Sequence, residues 1–214
     1  MRVRKKPWAA QELAENPRIL KAMPQAGEIP GFFTDKQALH VELGCGKGRF
    51  ISQTAERAPN INHLAIEREP IVLAMAARKA AHLDNVAFLE MDGQHLPEIF
   101  VPGQVDRLYI NFCDPWPRKK KWAKRRLTHV NFLAMYEFLR IPEIFFKTDN
   151  RILFEFSINQ FSERGWKMRA VSLDLHNSGI EDNIMTEYEE KFSPHGPIYR
   201  LEAYFEYGSG SSCH

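Results

Sequence analysis

The chain has 214 residues, of which 44% are hydrophobic and 26% are charged, a composition typical of one globular domain with a sizeable core. No apolar run approaches the roughly 18 residues of a membrane span, and the basic start lacks the apolar stretch of a signal peptide, so we expect a cytoplasmic protein that does not bind membranes. The three cysteines, Cys45, Cys113 and Cys213, lack metal-ligand spacing, so neither a disulfide framework nor a metal site is predicted.

The charges are distributed unevenly along the chain. Residues 2–6 carry four cations and residues 118–126 carry seven, with no acid in either segment. The rest of the chain has 18 of the 29 bases against all 27 acids. Such a concentration of cations favours a surface for nucleic-acid phosphates over an acidic protein or a membrane. A solvated charge run that only keeps a loop soluble is the alternative.

Residues 1–37 are predicted to form a basic N-terminal extension with one short helix, residues 38–207 a single domain, and residues 208–214 a flexible tail. Strand-length apolar runs alternate with helical patterns throughout the domain. The predicted strands are 38–43, 61–67, 86–91, 105–110, 144–147, 166–173 and 199–207, and the predicted helices are 49–58, 69–82, 95–100, 128–140 and 150–164. This alternation predicts an α/β, Rossmann-like fold whose mostly parallel seven-stranded sheet has helices on both faces. Ligands then bind at the carboxyl ends of the strands.

A glycine-rich segment, Glu42–Gly48, joins the first strand to its helix. It is not a phosphate-binding P-loop, because Val41 stands where that motif needs its first glycine. It also lacks the third glycine of a dinucleotide fingerprint, because Arg49 holds that position. An acid two residues before Gly44 suits a ligand with a positive centre, with Gly44 and Gly46 allowing close approach. That arrangement resembles the S-adenosylmethionine loop of methyltransferases, and a purely structural turn is the alternative.

Acids also end the next three strands. Glu67 follows Glu42 by 25 residues and can accept hydrogen bonds from ribose hydroxyls. Asp92 can accept from an adenine amino group, or can simply form an Asp-Gly turn. Asp114 ends the fourth strand. Each acid alone is explained by solvent exposure, but acids at four successive strand ends favour an adenosine cofactor.

The segment from Asn111 to Arg126 concentrates the chemistry. Pro115 and Pro117 fix φ and stop the strand directly after Asp114. Seven cations follow within nine residues, with Trp122 among them. An acid on a stiff strand end beside a cationic loop is typical of chemistry on a base of a polyanion. Trp122, or Trp8 in the N-terminal extension, can stack on an exposed base or pack against its own loop.

The chain resembles the bacterial, single-subunit tRNA (guanine-N7)-methyltransferases. The resemblance is carried by Met1–Trp8, Glu42–Gly48, Ala65–Glu67, Tyr109–Pro117, Lys124–Thr128, Phe146–Arg151, Ser172–Asn177 and Asn183–Phe192. It implies a class I methyltransferase fold, S-adenosyl-L-methionine as cofactor, tRNA as partner, and a monomer or homodimer. The implied reaction is methylation of N7 of guanosine at position 46 in the variable loop.

The resemblance also implies roles for individual residues. Asp114 corresponds to the catalytic carboxylate. The implied cofactor contacts are Glu42, Gly44, Gly46, Glu67, Asp92 and Asp114, and the implied substrate contacts are Arg118 or Lys119, Asp149, Thr186, Glu187, Tyr188 and Glu189. Phosphate contacts are expected from Lys120, Lys121, Lys124, Arg125 and Arg126. The family usually has a lysine where Arg118 stands, and the loop here is one residue longer, so either Arg118 or Lys119 takes that role.

Three alternatives stay open. The Asn111–Trp116 segment also resembles the Asn/Asp-Pro-Pro-Tyr motif that methylates exocyclic amines. A catalytically inert RNA-binding protein is the second alternative, and the strand-end acids disfavour it. The third makes Cys113 a nucleophile; since alkylation of a purine nitrogen needs no covalent adduct, a small buried side chain is favoured.

Overall fold

The computed structural model describes residues 6–33, 37–117 and 120–208. The strands in these ranges are β1 (Leu39–Leu43), β2 (Asn62–Glu67), β3 (Val86–Glu90), β4 (Arg107–Asn111), β5 (Glu143–Thr148), β6 (Lys167–Ser172) and β7 (Tyr199–Tyr204). They form one sheet in the order β3-β2-β1-β4-β5-β7-β6. Strands β1 to β5 pair in parallel, and β7 lies antiparallel between β5 and β6. The predicted mostly parallel, seven-stranded sheet is confirmed.

The helices are α1 (Pro7–Glu15), α2 (Arg49–Arg57), α3 (Pro70–Lys79), α4 (Leu96–Ile99), α5 (Lys120–Ala123), α6 (Val130–Phe138), α7 (Arg151–Glu163) and α8 (Glu187–Phe192). Short 3₁₀ turns occupy Ile29–Phe32, Gly93–His95, Leu175–Asn177 and Ser193–His195. Two short helices, α5 and α8, were not predicted. In the described ranges, no helix combines the length and the apolar character needed to cross a membrane.

Two apolar cores lie on opposite faces of the sheet. On one face α4, α6 and α7 pack side chains such as Leu133, Tyr136 and Phe154 against the sheet. On the other face α2 and α3 pack Ile51, Leu73 and neighbouring alanines. Burial of each large apolar side chain stabilises the fold by about 1.5–3 kcal/mol relative to exposure. Helices therefore cover both faces, as predicted.

Close packing of α2 on α3 sets the position of the glycine-rich loop. Gly48 precedes α2 with φ of 80°, and a Cβ there would lie 2.6 Å from the Cβ of Ala76. Only glycine permits both the left-handed backbone and this approach. The start of α2 is thereby fixed beside the end of β1.

The N-terminal segment packs against the domain. Helix α1 contacts α3, and Ile19 forms a parallel bridge to Phe88 at the outer edge of β3. Ile29 and Phe33 are buried in the larger core. Residues 6–33 therefore contribute to both cores, and the domain boundary at residue 38 stays a prediction. The basic residues 2–5 and the tail residues 209–214 lie outside the described residues.

Candidate active site

A cavity of about 450 Å³ opens at the carboxyl ends of the strands. It lies where the strand order reverses between β1 and β4, which is the usual ligand position in an open α/β sheet. Gly44, Glu67, Asp92 and Asp114 line it. The structure therefore brings together the predicted acids of the second, third and fourth strand ends, next to the glycine-rich loop.

Glu42 lies near the carboxyl end of β1, next to Leu43 of the cavity lining, with only 1% of its surface exposed. Its Oε1 accepts a hydrogen bond of 2.9 Å from the side-chain amide of Asn111. Its Oε2 is buried without a hydrogen-bond partner among the described residues. Burial raises the pKa of Glu42 to about 8, although Asn111 and nearby Lys147 oppose the shift. A buried, unsatisfied carboxylate oxygen is unfavourable by itself, and it fits a site that receives a cationic group.

The glycine-rich loop is held against β2. The backbone N–H of Gly46 donates to Oε2 of Glu67 at 3.1 Å, and φ of Gly46 is 55°. The N–H of Gly44 donates to the carbonyl of Ile66 at 2.8 Å. These bonds place the end of β2 and the loop against each other, so one ligand can contact both.

Glu67 and Asp92 are both oriented by backbone N–H groups. Oε1 of Glu67 accepts from the N–H groups of Arg68 at 2.9 Å and Glu69 at 3.1 Å. Oδ1 of Asp92 accepts from the N–H of Gln94 at 3.1 Å. Asp92 therefore does stabilise the turn that follows β3, as the alternative considered for it predicted. The same residue lines the cavity, so its predicted adenine contact stays a prediction.

Asp114 is exposed on a strained turn after β4. Phe112 and Trp116 adopt φ of 52° and 26°, which non-glycine residues rarely do and which occurs mostly where the surroundings enforce it. Oδ2 of Asp114 lies 3.2 Å from Nη2 of Arg68. Arg68 also lines the cavity, and sequence reasoning missed it because nothing but its position after Glu67 marks it.

The basic loop divides into exposed and buried cations. Lys124 and Arg125 are exposed and line the cavity. Arg126 is 2% exposed; its guanidinium donates to the carbonyls of Pro115 at 2.9 Å and Trp116 at 2.6 Å. In the structure Arg126 therefore holds the turn after β4, and its burial disfavours the phosphate contact, which stays a prediction. Residues 118 and 119, with the predicted contacts Arg118 and Lys119, and the side chains of Lys120 and Lys121 lie outside the described part of the chain.

Two predicted substrate contacts meet beside the strained turn. The hydroxyl of Tyr188 donates to Oδ2 of Asp149 at 2.9 Å. The Tyr188 ring packs on Phe112 with centroids 5.1 Å apart, and Tyr188 is 41% exposed. Asp149 and Tyr188 therefore form one polar and aromatic surface beside Phe112, on the turn that precedes Asp114.

Glu189 and Thr186 are structural in this fold. Glu189 is fully buried; its carboxylate accepts from Lys147 at 2.7 Å and from the Asn183 amide at 2.7 Å, and His176 lies 3.2 Å away. The hydroxyl of Thr186 caps α8 by accepting from the N–H of Glu189 at 2.9 Å. Both polar groups are buried and engaged within the fold, and direct substrate contact by Glu189 and Thr186 stays a prediction.

Glu187 faces the glycine-rich loop. Its carboxylate pairs with Lys79 and lies 3.4 Å from the backbone N–H of Arg49, at the start of α2. It also acts electrostatically on Glu42. The structure thus places Glu187 nearer the expected cofactor loop than Asp149 and Tyr188 are.

Asn111 and Lys147 complete the buried part of the site. Both were missed as site residues, although each lies at or next to the carboxyl end of its strand, which is the available signal.

Burial raises the pKa of the Cys113 thiol to about 12, and the charge of Asp114 acts in the same direction. A thiolate nucleophile is disfavoured there.

Comparison with known proteins agrees with this geometry. The family model of putative methyltransferases matches residues 36–201. The tRNA (guanine-N(7)-)-methyltransferase of Bacillus subtilis (strain 168) is 49% identical over 209 residues, which cover 94% of this chain and 98% of that protein. The enzyme of the same name from Enterococcus faecalis (strain ATCC 700802 / V583) is 48% identical over 212 residues, which cover 96% of this chain and 99% of that protein.

Solved structures support the fold. The 16S rRNA methyltransferase KamB has a TM-score of 0.57 at 14% identity, over 80% of this chain and 89% of that chain. A fibrillarin/Nop5p complex gives 0.54 at 14% identity, over 79% and 73%. At such low identity the likeness shows the Rossmann-like methyltransferase fold alone.

Proposed function

We propose that the chain, which belongs to the tRNA (guanine-N(7)-)-methyltransferase family, transfers a methyl group from S-adenosylmethionine to N7 of guanosine 46 in the variable loop of tRNA. Near full-length identity of 49% supports the activity. The observation that carries the proposal in the structure is the buried, unsatisfied Oε2 of Glu42. Its neighbours Leu43 and Asn111 line a cavity together with further strand-end acids. We expect tRNA in the cytoplasm to be the partner.

The residues present fit this cofactor, whose sulfonium supplies an activated methyl group. Glu42 would receive the aminoacyl ammonium, Glu67 the ribose hydroxyls, and Asp92 the adenine amino group. Gly44 and Gly46 allow the backbone to approach without a side chain. An acidic site of this kind favours a cationic ligand over a phosphate-bearing dinucleotide.

Guanine N7 carries a lone pair and no proton, so this chain needs no general base to expose it. Its residues therefore act mainly by positioning, with reacting atoms about 3–3.5 Å apart. Asp114 would accept from N1 or the exocyclic amine of guanine and offset the positive charge that develops on the ring. Asp149 and Tyr188 would hold the remaining edge of the base.

The exposed cations Lys124 and Arg125, together with the basic N-terminal residues, would hold RNA phosphates. They stand at the same cavity as Asp114, so phosphate binding places the RNA beside the catalytic carboxylate. Affinity for tRNA should then fall steeply with salt.

The test is methyl transfer from labelled S-adenosylmethionine to an unmodified tRNA transcript, with DNA and protein as competing substrates. We expect label in tRNA alone, located by nuclease digestion and mass spectrometry as N7-methylguanosine at position 46. A transcript with adenosine at that position is the matched control and should stay unlabelled. Methylation of an exocyclic amine, or no transfer to tRNA, would refute the proposal.

The role of Asp114 has a separate test. Asp114→Ala should abolish turnover and leave affinity for tRNA largely intact, because exposed cations rather than this carboxylate hold the RNA. Single-turnover rates and filter binding measure the two quantities. If tRNA affinity falls as far as the rate does, the assigned role is wrong.

A further inference from the structure

The cavity lining also includes side chains of a different character from the strand-end acids. They are Trp116, Lys124, Arg125, Leu127 and Phe132. The two cations among them are unfavourable neighbours for the positive centres of the cofactor. An aromatic ring and two apolar side chains beside those cations suit a flat base that carries a phosphate.

Trp116 is held in place before any ligand binds. Its φ of 26° is strained, and its carbonyl accepts from both Nε and Nη2 of Arg126, at 3.0 and 2.6 Å. Arg126 is in turn packed on Phe156, with its guanidinium carbon 4.4 Å from the ring centroid. Strain that is maintained by buried contacts is typical of ligand-binding positions.

The indole of Trp116 is part of an aromatic stack. It lies parallel to Trp122, with centroids 5.4 Å apart and planes at 7°. The guanidinium carbon of Arg125 lies 5.0 Å from both ring centroids. Trp122 thus packs against its own loop and supports Trp116 from outside, while Trp116 itself lines the cavity. Stacked aromatic rings with an adjacent arginine are the elements with which proteins bind unpaired bases independently of sequence.

We infer that Trp116, supported by Trp122 and Arg125, is a stacking site for an unpaired RNA nucleobase next to the guanosine that is methylated. The inference rests on the proposed function, since it assigns a second nucleotide of the same RNA to the same cavity. Stacking there would hold the variable loop open and keep the target base beside Asp114.

Trp116→Ala should weaken binding of an unmodified tRNA transcript roughly tenfold or more, because stacking on an aromatic side chain usually contributes that much per base. Trp116→Phe should recover most of the loss. Affinity for S-adenosylmethionine, measured by calorimetry, should be unchanged in both variants. A loss of cofactor affinity equal to the loss of tRNA affinity would assign Trp116 to the adenine site and overturn the inference.

The salt dependence separates stacking from charge. Trp116→Ala should leave the slope of log affinity against log salt unchanged, because it removes no phosphate contact. Arg125→Gln is the matched contrast and should reduce the slope by about one. A slope that changes in Trp116→Ala would contradict a stacking role.

The partner base is identified with transcripts that carry an abasic nucleotide at each position flanking the target guanosine. One of these transcripts should bind the wild-type protein as weakly as the intact transcript binds Trp116→Ala. Trp116→Ala itself should bind that abasic transcript no more weakly than it binds the intact transcript. Equal binding of every abasic transcript by the wild type overturns the inference whether or not a variant folds. Failure of the proposed function is distinct, because the wild type would then not methylate intact tRNA.

Discussion

Under the proposed function, the buried carboxyl of Glu42 should make cofactor binding dependent on pH. The side chain is 1% exposed, its Oε2 has no partner among the described residues, and burial raises its pKa to about 8. The cofactor-free protein is therefore mostly protonated at this position below pH 8. An ammonium group can pair with Glu42 only after that proton leaves, so binding should release a proton. Glu42→Gln removes the ionisable group and should remove both effects.

The size of the pH effect on cofactor affinity follows from the pKa of Glu42. With a value of about 8, the ionised fraction is roughly one in 100 at pH 6 and one in 11 at pH 7, so apparent affinity should rise about ninefold over that unit. The α-amino group of the ligand, with an ordinary pKa near 7.7–8.0, stays mostly protonated in this range. Above pH 8 the ammonium group of the ligand loses its proton. This loss opposes the gain from ionised Glu42, so the rise of cofactor affinity with pH should flatten.

Calorimetry at pH 6.5 in two buffers with different ionisation enthalpies measures the released proton directly. The wild type should release about one proton per S-adenosylmethionine bound, and Glu42→Gln should release none and bind weakly at every pH. Asp92→Asn is the control: it removes a different cavity carboxyl and should keep the pH dependence. Wild-type affinity that is flat between pH 6 and 7, or equal heats in the two buffers, would refute the role given to Glu42.

Four further outcomes are expected. Because folding raises the pKa of Glu42 from 4.5 to about 8, the unfolding free energy of the cofactor-free wild type should fall as pH rises through that window, and Glu42→Gln should fall less. Lys147→Met should lower the unfolding free energy in urea by about 3–5 kcal/mol, because it leaves the buried carboxylate of Glu189 without its cation. Adding Glu189→Gln to this variant should recover part of the loss, and additive losses would contradict the pairing. Arg126→Ala should cost about 1–3 kcal/mol without changing the salt slope of tRNA binding; a reduced slope would restore a phosphate role. Cys113→Ser should retain methyl transfer. Loss of turnover with normal cofactor binding would instead support a nucleophilic role for Cys113.

The strand ends were predictable because strand patterns carry their own geometry. Apolar runs that alternate with helices imply parallel strands, and the carboxyl ends of parallel strands meet at one edge. Glu42, Glu67, Asp92 and Asp114 were therefore expected together from the sequence. The structure places Glu67, Asp92 and Asp114 in one cavity lining, with Glu42 buried near the end of β1. Their individual ligand contacts stay predictions.

The sequence pattern could not tell which of two neighbouring loop residues is exposed and which is buried. Arg125 and Arg126 have the same chemistry, yet one is exposed and the other is buried. The difference comes from the positive φ of Trp116, which aims its carbonyl at Arg126 and which composition does not encode. Exposure of a cation in an irregular segment depends on backbone turns, so charge alone overestimates the RNA surface.

Helix α8 was missed although a signal was present. A threonine followed three residues later by a glutamate is a helix start signature, and Thr186 with Glu189 has that spacing. Once α8 is assigned, successive residues point in different directions. Glu189 then faces Lys147 and the core, and Tyr188 faces Asp149. The helical period thus divides one contiguous run of predicted contacts, Thr186–Glu189, into buried and exposed members.

The cavity lining carries both signs of charge, which suits the proposed reaction. The donor carries positive charge, which the strand-end acids Glu67 and Asp92 in the lining would balance. The RNA carries negative charge, which Lys124 and Arg125 in the same lining would balance. Asp114 also lines this cavity, on the turn that Arg126 fixes. Methyl transfer to a neutral nitrogen moves positive charge from sulfur to the base, so a carboxylate at Asp114 would stabilise the charge where it arrives.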